Sequence, residues 1–147
     1  MSLEFACQHA YGRNFSLDVR FEAAKGVTAI CGPSGSGKTT IVMLIAGLVR
    51  ADAGRIVLDD RVLVDTEKHI WTPPQRRGIG VVFQDNLLFP HLTIRDNLCY
   101  GQKRRPTPDP SFEEVVEVLE LAELLNRRPS TLSGGQARRV ALGRALL

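Results

Sequence analysis

Between positions 32 and 39 the chain reads Gly32-Pro33-Ser34-Gly35-Ser36-Gly37-Lys38-Thr39, a string that leaves its backbone few choices. Glycine at three of the first six positions lets the chain curl through left-handed conformations that a Cβ would penalise. Such a curl turns successive backbone N–H groups inward, where they form a cradle for an anion. The flanks agree with this reading. Val27-Thr28-Ala29-Ile30-Cys31 is a short apolar run bounded by Gly26 and Gly32, which reads as a strand buried on both faces. After the glycines, Ile41, Leu44, Ile45 and Leu48 fall at i, i+3, i+4 and i+7, the spacing of a helix. Strand, glycine loop and helix predict an α/β fold in which the positive end of the helix faces whatever the loop holds.

A phosphate chain is the anion that suits this cradle. Gly32, Gly35 and Gly37 allow close approach, Lys38 is placed to reach the β- and γ-phosphates, and the Thr39 hydroxyl suits Mg2+. Pro33, Ser34, Ser36 and Thr40 complete the expected nucleotide contacts. The string alone leaves kinases, GTPases, helicases and transporters all open.

Elsewhere, residues 15–22 alternate, with Phe15, Leu17, Val19 and Phe21 on one face and Ser16, Asp18, Arg20 and Glu22 on the other. With residues 3–8 before it and Gly12-Arg13-Asn14 as the turn, this stretch predicts an antiparallel hairpin. Residues 55–58 and 62–64, joined across Asp59-Asp60-Arg61, predict a second hairpin, and Gly80-Val81-Val82-Phe83 a further buried strand. Residues 93–100 read as a short helix, whereas Pro106-Thr107-Pro108-Asp109-Pro110 cannot form one. Phe112, Val115, Val116 and Leu119 restore helical spacing after Ser111 as cap, and Ser133 precedes a final amphipathic helix. A nucleotide-binding core over residues 1–87 and a helical subdomain over 88–147 are therefore expected.

Charge narrows the partners. The 19 basic and 16 acidic side chains leave a net charge of +3, dispersed along the chain, so nucleic acid is not an expected partner. The local basic runs Arg76-Arg77, Lys103-Arg104-Arg105 and Arg138-Arg139 read as solvated faces. Cys7, Cys31 and Cys99 are odd in number with no CxxC spacing, which suits a reducing compartment better than a disulfide framework or a zinc site. No apolar run approaches the roughly 18 residues of a membrane span, so any membrane role is expected to pass through a partner.

A second string, Leu132-Ser133-Gly134-Gly135-Gln136, follows in the distal part of the chain. Together with the first, in this order and spacing, it resembles the ATP-binding subunits of ABC transporters. The resemblance implies a P-loop nucleotide-binding core with an N-terminal antiparallel hairpin and a helical subdomain, using ATP and Mg2+. It also implies that Ser133, Gly134, Gly135 and Gln136 head a helix whose N–H groups meet the γ-phosphate held by a second copy of the chain. Val81-Val82-Phe83-Gln84-Asp85 resembles the family's Q-loop, with Gln84 expected near Mg2+ and the attacking water, beside the groove that receives a helix of the transmembrane permease. Leu88-Phe89-Pro90-His91-Leu92-Thr93 is similar to importer subunits, and His91 reads as structural. The family stacks the adenine on an aromatic residue about 25 residues before the phosphate loop. Tyr11 is the candidate, since Phe15 belongs to the core face of its strand.

Within importers, the stretches Gly54-Arg55-Ile56-Val57-Leu58, Asp65-Thr66-Glu67-Lys68 and Pro73-Pro74-Gln75-Arg76-Arg77-Gly78-Ile79-Gly80 most resemble the molybdate-importing branch, although sulfate, polyamine and sugar importers share much of this core. A peripheral position on the cytoplasmic face of the inner membrane is implied. Two other readings stand beside this one: a soluble ABC ATPase without a membrane partner, and a module that holds nucleotide without hydrolysing it. The C-terminal half of the family's fold, with its Mg2+-organising aspartate, catalytic glutamate and switch histidine, is expected to lie beyond Leu147. Without those residues the fragment as given is expected to fall short of hydrolytic competence, and it is expected to be marginally stable because the strand at 27–31 would have two unpaired edges.

Overall fold

The structure, a computed structural model, describes residues 2–12, 15–101 and 110–147. Two compact units divide between Ile79 and Gly80. The first is built on a five-stranded antiparallel sheet in the order β2 (Phe15–Ala23), β1 (Leu3–Tyr11), β3 (Ala53–Leu58), β4 (Arg61–Asp65) and β5 (Ile70–Trp71). Strands β1 and β2 form the first expected hairpin, with Tyr11 opposite Phe15 at its tip. Of the expected turn, Gly12 has a φ of 60°, while residues 13 and 14 lie outside the described residues. Alternation works as expected, since Leu17 is buried and Phe15, Val19 and Phe21 pack against the same core.

The second hairpin is β3 with β4, and β5 pairs with β4 at the edge. Strand β3 also pairs with β1, and they meet closely at Gly54, whose φ is 125°. A Cβ there would lie 2.0 Å from the Ala6 carbonyl oxygen. The core under the sheet combines Phe5, Cys7, Leu17, Ile56, Leu58, Leu63 and Val64 with Ile41 and Leu44 from helix α1 (Lys38–Ala46). Helix α1 ends sooner than the apolar spacing implied. Gly47 caps it in a left-handed conformation, and Leu48, expected on its inner face, lies past the cap and is half exposed.

Neither the segment expected as a strand buried on both faces, 27–31, nor the one expected as a further buried strand, 80–83, forms a strand. Residues 27–31 are irregular and solvent-exposed, Val27 completely so. Residues 80–83 are irregular too, with Val82 exposed and Val81 and Phe83 partly buried. Both have the composition of a strand, but a strand exists only through ladder partners. Among the described residues neither segment has one.

The second unit is helical. It contains α2 (Ile94–Cys99), α3 (Phe112–Val118) and α4 (Gly134–Leu146); Ser111 and Ser133 stand at the starts of α3 and α4 as expected, while Thr93, expected as the first residue of its helix, is the cap of α2. Each cap's side-chain oxygen accepts a backbone N–H from the first turn, satisfying one of the donors that a helix leaves unpaired. Ile94, Leu98, Val115, Leu121, Leu124, Val140 and Leu147 form its core. Gly143 lets the helices close up, since a Cβ there would lie 2.9 Å from Leu98 Cδ2 and 3.2 Å from Val115 Cγ1. The run Lys103-Arg104-Arg105 and the proline-rich stretch from 106 to 109 lie outside the described residues.

Candidate nucleotide-binding site

The glycine string folds into the curl its composition implies. Gly35 and Gly37 have φ values of 79° and 92°, and the Ser36 N–H donates to the Pro33 carbonyl at 3.3 Å. Gly37 is required twice over, because a Cβ would also lie 2.6 Å from Leu17 Cδ1 and 2.9 Å from Phe15 Cζ. Strand β2 thus backs the loop. Gly37 is the N-cap of α1, and the first turn of that helix contains no acidic residue to neutralise its positive end. Lys38 Nζ folds over the loop and donates to the carbonyl oxygens of Gly32 at 2.9 Å and Pro33 at 2.6 Å. Ser34, Gly35, Ser36 and Thr39 are exposed, whereas Thr40 is buried on the inner side of α1. An open loop of backbone donors, an uncompensated helix end and a cation on one rim can receive a polyanion.

Tyr11 stands half exposed at the end of β1. Its ring meets that of His9 edge-on, with centroids 4.6 Å apart, and lies 5.9 Å from Phe15, the residue that backs Gly37. In the helical unit, Ser133 caps α4 reciprocally with Gln136: Ser133 Oγ accepts from Gln136 N at 3.3 Å, and Gln136 Oε1 accepts from Ser133 N at 2.9 Å. The Gln136 side-chain oxygen is therefore engaged within the helix. At Gly134 and Gly135 a Cβ would meet nothing within 4 Å. Two glycines in a first turn cost about 1 kcal/mol each relative to alanine, and no packing within the unit demands them. Gln84 is exposed in a turn, where Asn86 N donates to Phe83 O at 3.1 Å.

Residues 14–147 match the family model described as ABC transporter. The chain belongs to the ABC transporter family. Two curated relatives bear the name molybdenum import ATP-binding protein ModC. The one from Rhodospirillum rubrum is 52% identical over 133 residues, covering 89% of this chain and 36% of its own length. That from Mesorhizobium japonicum is 48% identical over 149 residues, covering 100% of this chain and 40% of its own. The chain thus spans well under half the length of these relatives. Among solved structures, the ATP-binding cassette MJ0796, dimeric and bound to ADP and Pi in a post-hydrolysis state, matches with a TM-score of 0.71 and 29% identity. The match covers 99% of this chain and 68% of that one. The fold is accordingly that of an ABC ATPase, of which these residues form part.

Three residues of this ABC chain matter more than the sequence suggested. Arg77, read as half of a solvated basic pair, is only 1% exposed. Its Nε donates to Thr72 O at 2.7 Å, and its Nη1 donates to Leu44 O at 2.9 Å and Ile45 O at 2.8 Å, capping the C-terminal end of α1. Burial lowers its pKa, as desolvation does for any cation. Asn97 is fully buried and pins the importer-like stretch: its Oδ1 accepts from Phe89 N, and its Nδ2 donates to Phe89 O and Thr93 O. Arg144 holds the loop that follows Gln84. Charge and amide groups inside an apolar pattern gave no periodic signal for these roles. Among the described residues no helix is long and apolar enough to cross a membrane.

Proposed function

We propose that this chain is the first part of the ATP-binding subunit of an importer for an oxyanion, molybdate, in which ATP binding and hydrolysis drive uptake. The observation that carries the reading is the phosphate loop, with Lys38 poised on the Gly32 and Pro33 carbonyls at the open end of α1. On binding, the Lys38 ammonium exchanges those carbonyls for the β- and γ-phosphate oxygens, while the N–H groups of residues 35–39 surround the chain of phosphates. Tyr11, in perpendicular ring contact with His9, is the residue assigned to stack on the adenine.

The residues present suit Mg2+ arriving with the nucleotide. Thr39 offers an exposed hydroxyl in the first turn of α1, and among the described residues no three His, Cys, Asp or Glu side chains gather into a metal site of their own. Mg2+ is content with one or two protein ligands beside phosphate oxygens and water; the phosphate loop offers Thr39, and the family resemblance gives Gln84 its part near the attacking water. When bound it neutralises charge developing on the β- and γ-phosphates. Lys38 adds to that stabilisation from the loop, and the N-terminal end of α4 adds to it from a second copy of the chain.

Ser133, Gly134, Gly135 and Gln136 are the surface for that second copy. The glycines at 134 and 135, which nothing inside the unit requires, leave room for a phosphate against the helix end. Residues 1–87 then serve as nucleotide-binding core and 88–147 as helical subdomain, with permease subunits at the membrane and the chain on its cytoplasmic face. The molybdate assignment follows the names of the relatives. Its test is ATP-dependent uptake by the intact protein assembled with its membrane partners in vesicles. Molybdate should enter and stimulate ATP hydrolysis, with sulfate competing weakly. Equal uptake of sulfate, or sugar transport in its place, would refute the substrate.

A further inference from the structure

Helix α4 carries Ser133 at its first end and holds the Gln84 loop at its last. Near that last end Arg144 donates from Nη1 to Leu87 O at 2.8 Å and from Nη2 to Asn86 O at 3.3 Å. Its guanidinium also lies 5.3 Å from the centroid of the Phe89 ring. The next residue, Ala145, touches the other end of the same loop, where a Cβ on Gly80 would stand 2.5 Å from Ala145 O. Residues 80–87 therefore leave α4 at Ala145 and return to it at Arg144. Gln84 sits exposed between the two anchor points.

The return point is strained. Asn86 and Leu87 have φ values of 57° and 45°, a region that costs an L-residue about 1–2 kcal/mol. Two adjacent non-glycine residues hold that conformation only where something fixes them. Their own carbonyl oxygens are the two acceptors that the Arg144 fork takes. Asn97 separately fixes Phe89 and Thr93 to α2, so Arg144 acts on the part of the loop nearest Gln84.

We propose that Arg144 is a positioning residue that makes the Gln84 loop and α4 a single moving part. Arg144 lies eleven positions after Ser133, about 16 Å along the axis, too short for a packed helix to bend appreciably. A displacement of α4 when Ser133 engages a nucleotide is then transmitted to Gln84 through the fork. The inference rests on the roles given above to Ser133 and Gln84.

The test compares wild type, Arg144→Met and Arg144→Lys in the intact protein, using hydrogen exchange at residues 86–88 and steady-state hydrolysis of Mg-ATP. In Arg144→Met those amides should exchange at least about tenfold faster while α2 is unchanged, since the fork's hydrogen bonds and its contact with the Phe89 ring are lost and the Asn97 bonds to Phe89 and Thr93 remain. The kcat should fall by about tenfold or more with KM within about twofold, the signature of a displaced group acting after binding. Lysine, with no planar fork, should give intermediate exchange and intermediate kcat. Wild-type exchange at 86–88 in either variant overturns the proposal, and the lysine variant keeps the test open should the methionine variant fail to fold. Faster exchange with wild-type kcat overturns the positioning role. If Gln84→Ala also leaves kcat unchanged, the fault lies in the role given to Gln84.

Discussion

Replacing Arg77 with methionine should loosen the helix that carries the phosphate loop. The substitution keeps most of the buried aliphatic volume and removes three hydrogen bonds donated to Thr72, Leu44 and Ile45 carbonyls. Leu44 O keeps a donor, because the Gly47 N–H also reaches it at 3.1 Å. Thr72 O and Ile45 O each lose theirs, at about 1–3 kcal/mol per buried acceptor. Loss of a cation from the negative end of α1 adds up to about 1 kcal/mol. Against these stands the desolvation penalty that the guanidinium no longer suffers. The net expectation is a loss of about 3 kcal/mol. Native-state hydrogen exchange at the α1 amides of the intact protein reads this directly, and about 100-fold faster exchange corresponds to that energy. Arg77→Lys should lie between, since an ammonium cannot match the fork. Exchange within about threefold of wild type in Arg77→Met would show that desolvation cancels the contacts and refute the reasoning.

Other consequences are more local. Gly54→Ala places a methyl 2.0 Å from Ala6 O and 2.7 Å from Cys7 Cα, both backbone atoms, so a loss above about 3 kcal/mol is expected; a melting temperature within a degree or two of wild type would contradict it. Burial pushes the Cys7 thiol from 9.0 up to about 11. The folded state therefore keeps that proton longer than the unfolded one, and stability falls as pH rises from about 9 to 11. The loss specific to Cys7, taken as the difference from Cys7→Ala, should reach about 2–3 kcal/mol, and identical pH profiles would exclude it. Asn97→Ala should cost about 2–3 kcal/mol and Asn97→Asp more, since a carboxylate oxygen would face the Phe89, Leu92 and Thr93 carbonyls. Urea unfolding of the two variants ranks them, and the reverse order would be inconsistent with the hydrogen-bond pattern.

Local signals were the legible ones. Ser111 and Ser133 each needed only a hydroxyl before a helical stretch, and both accept the backbone donor their position implies, whereas Thr93, which the sequence places inside its helix, stands one position before it and caps it instead. Both hairpins could be read because alternation and a nearby turn are properties of one short stretch. The segments at 27–31 and 80–83 show where such reading fails. Their β-branched and apolar residues fit a strand, yet pairing is non-local, and neither has a ladder partner among the described residues. Arg77 and Arg144 illustrate a different gap. An arginine looks the same in sequence whether water or a carbonyl satisfies it, and only the folded chain reveals that these two act on backbone. At the site itself, the curl at Gly35 and Gly37 follows from composition, while the backing of Gly37 by Leu17 and Phe15 depends on tertiary contact.

The central claim is that Lys38 and the loop from Gly32 to Thr39 hold the phosphates of ATP. Equilibrium binding of ATP to the intact protein in the presence of Mg2+, for wild type and Lys38→Ala, tests it most directly. The account predicts saturable binding by the wild type and at least about a hundredfold weaker binding by the variant, the loss of a charge-assisted contact worth about 3 kcal/mol. Equal affinity in a folded Lys38→Ala protein would contradict it.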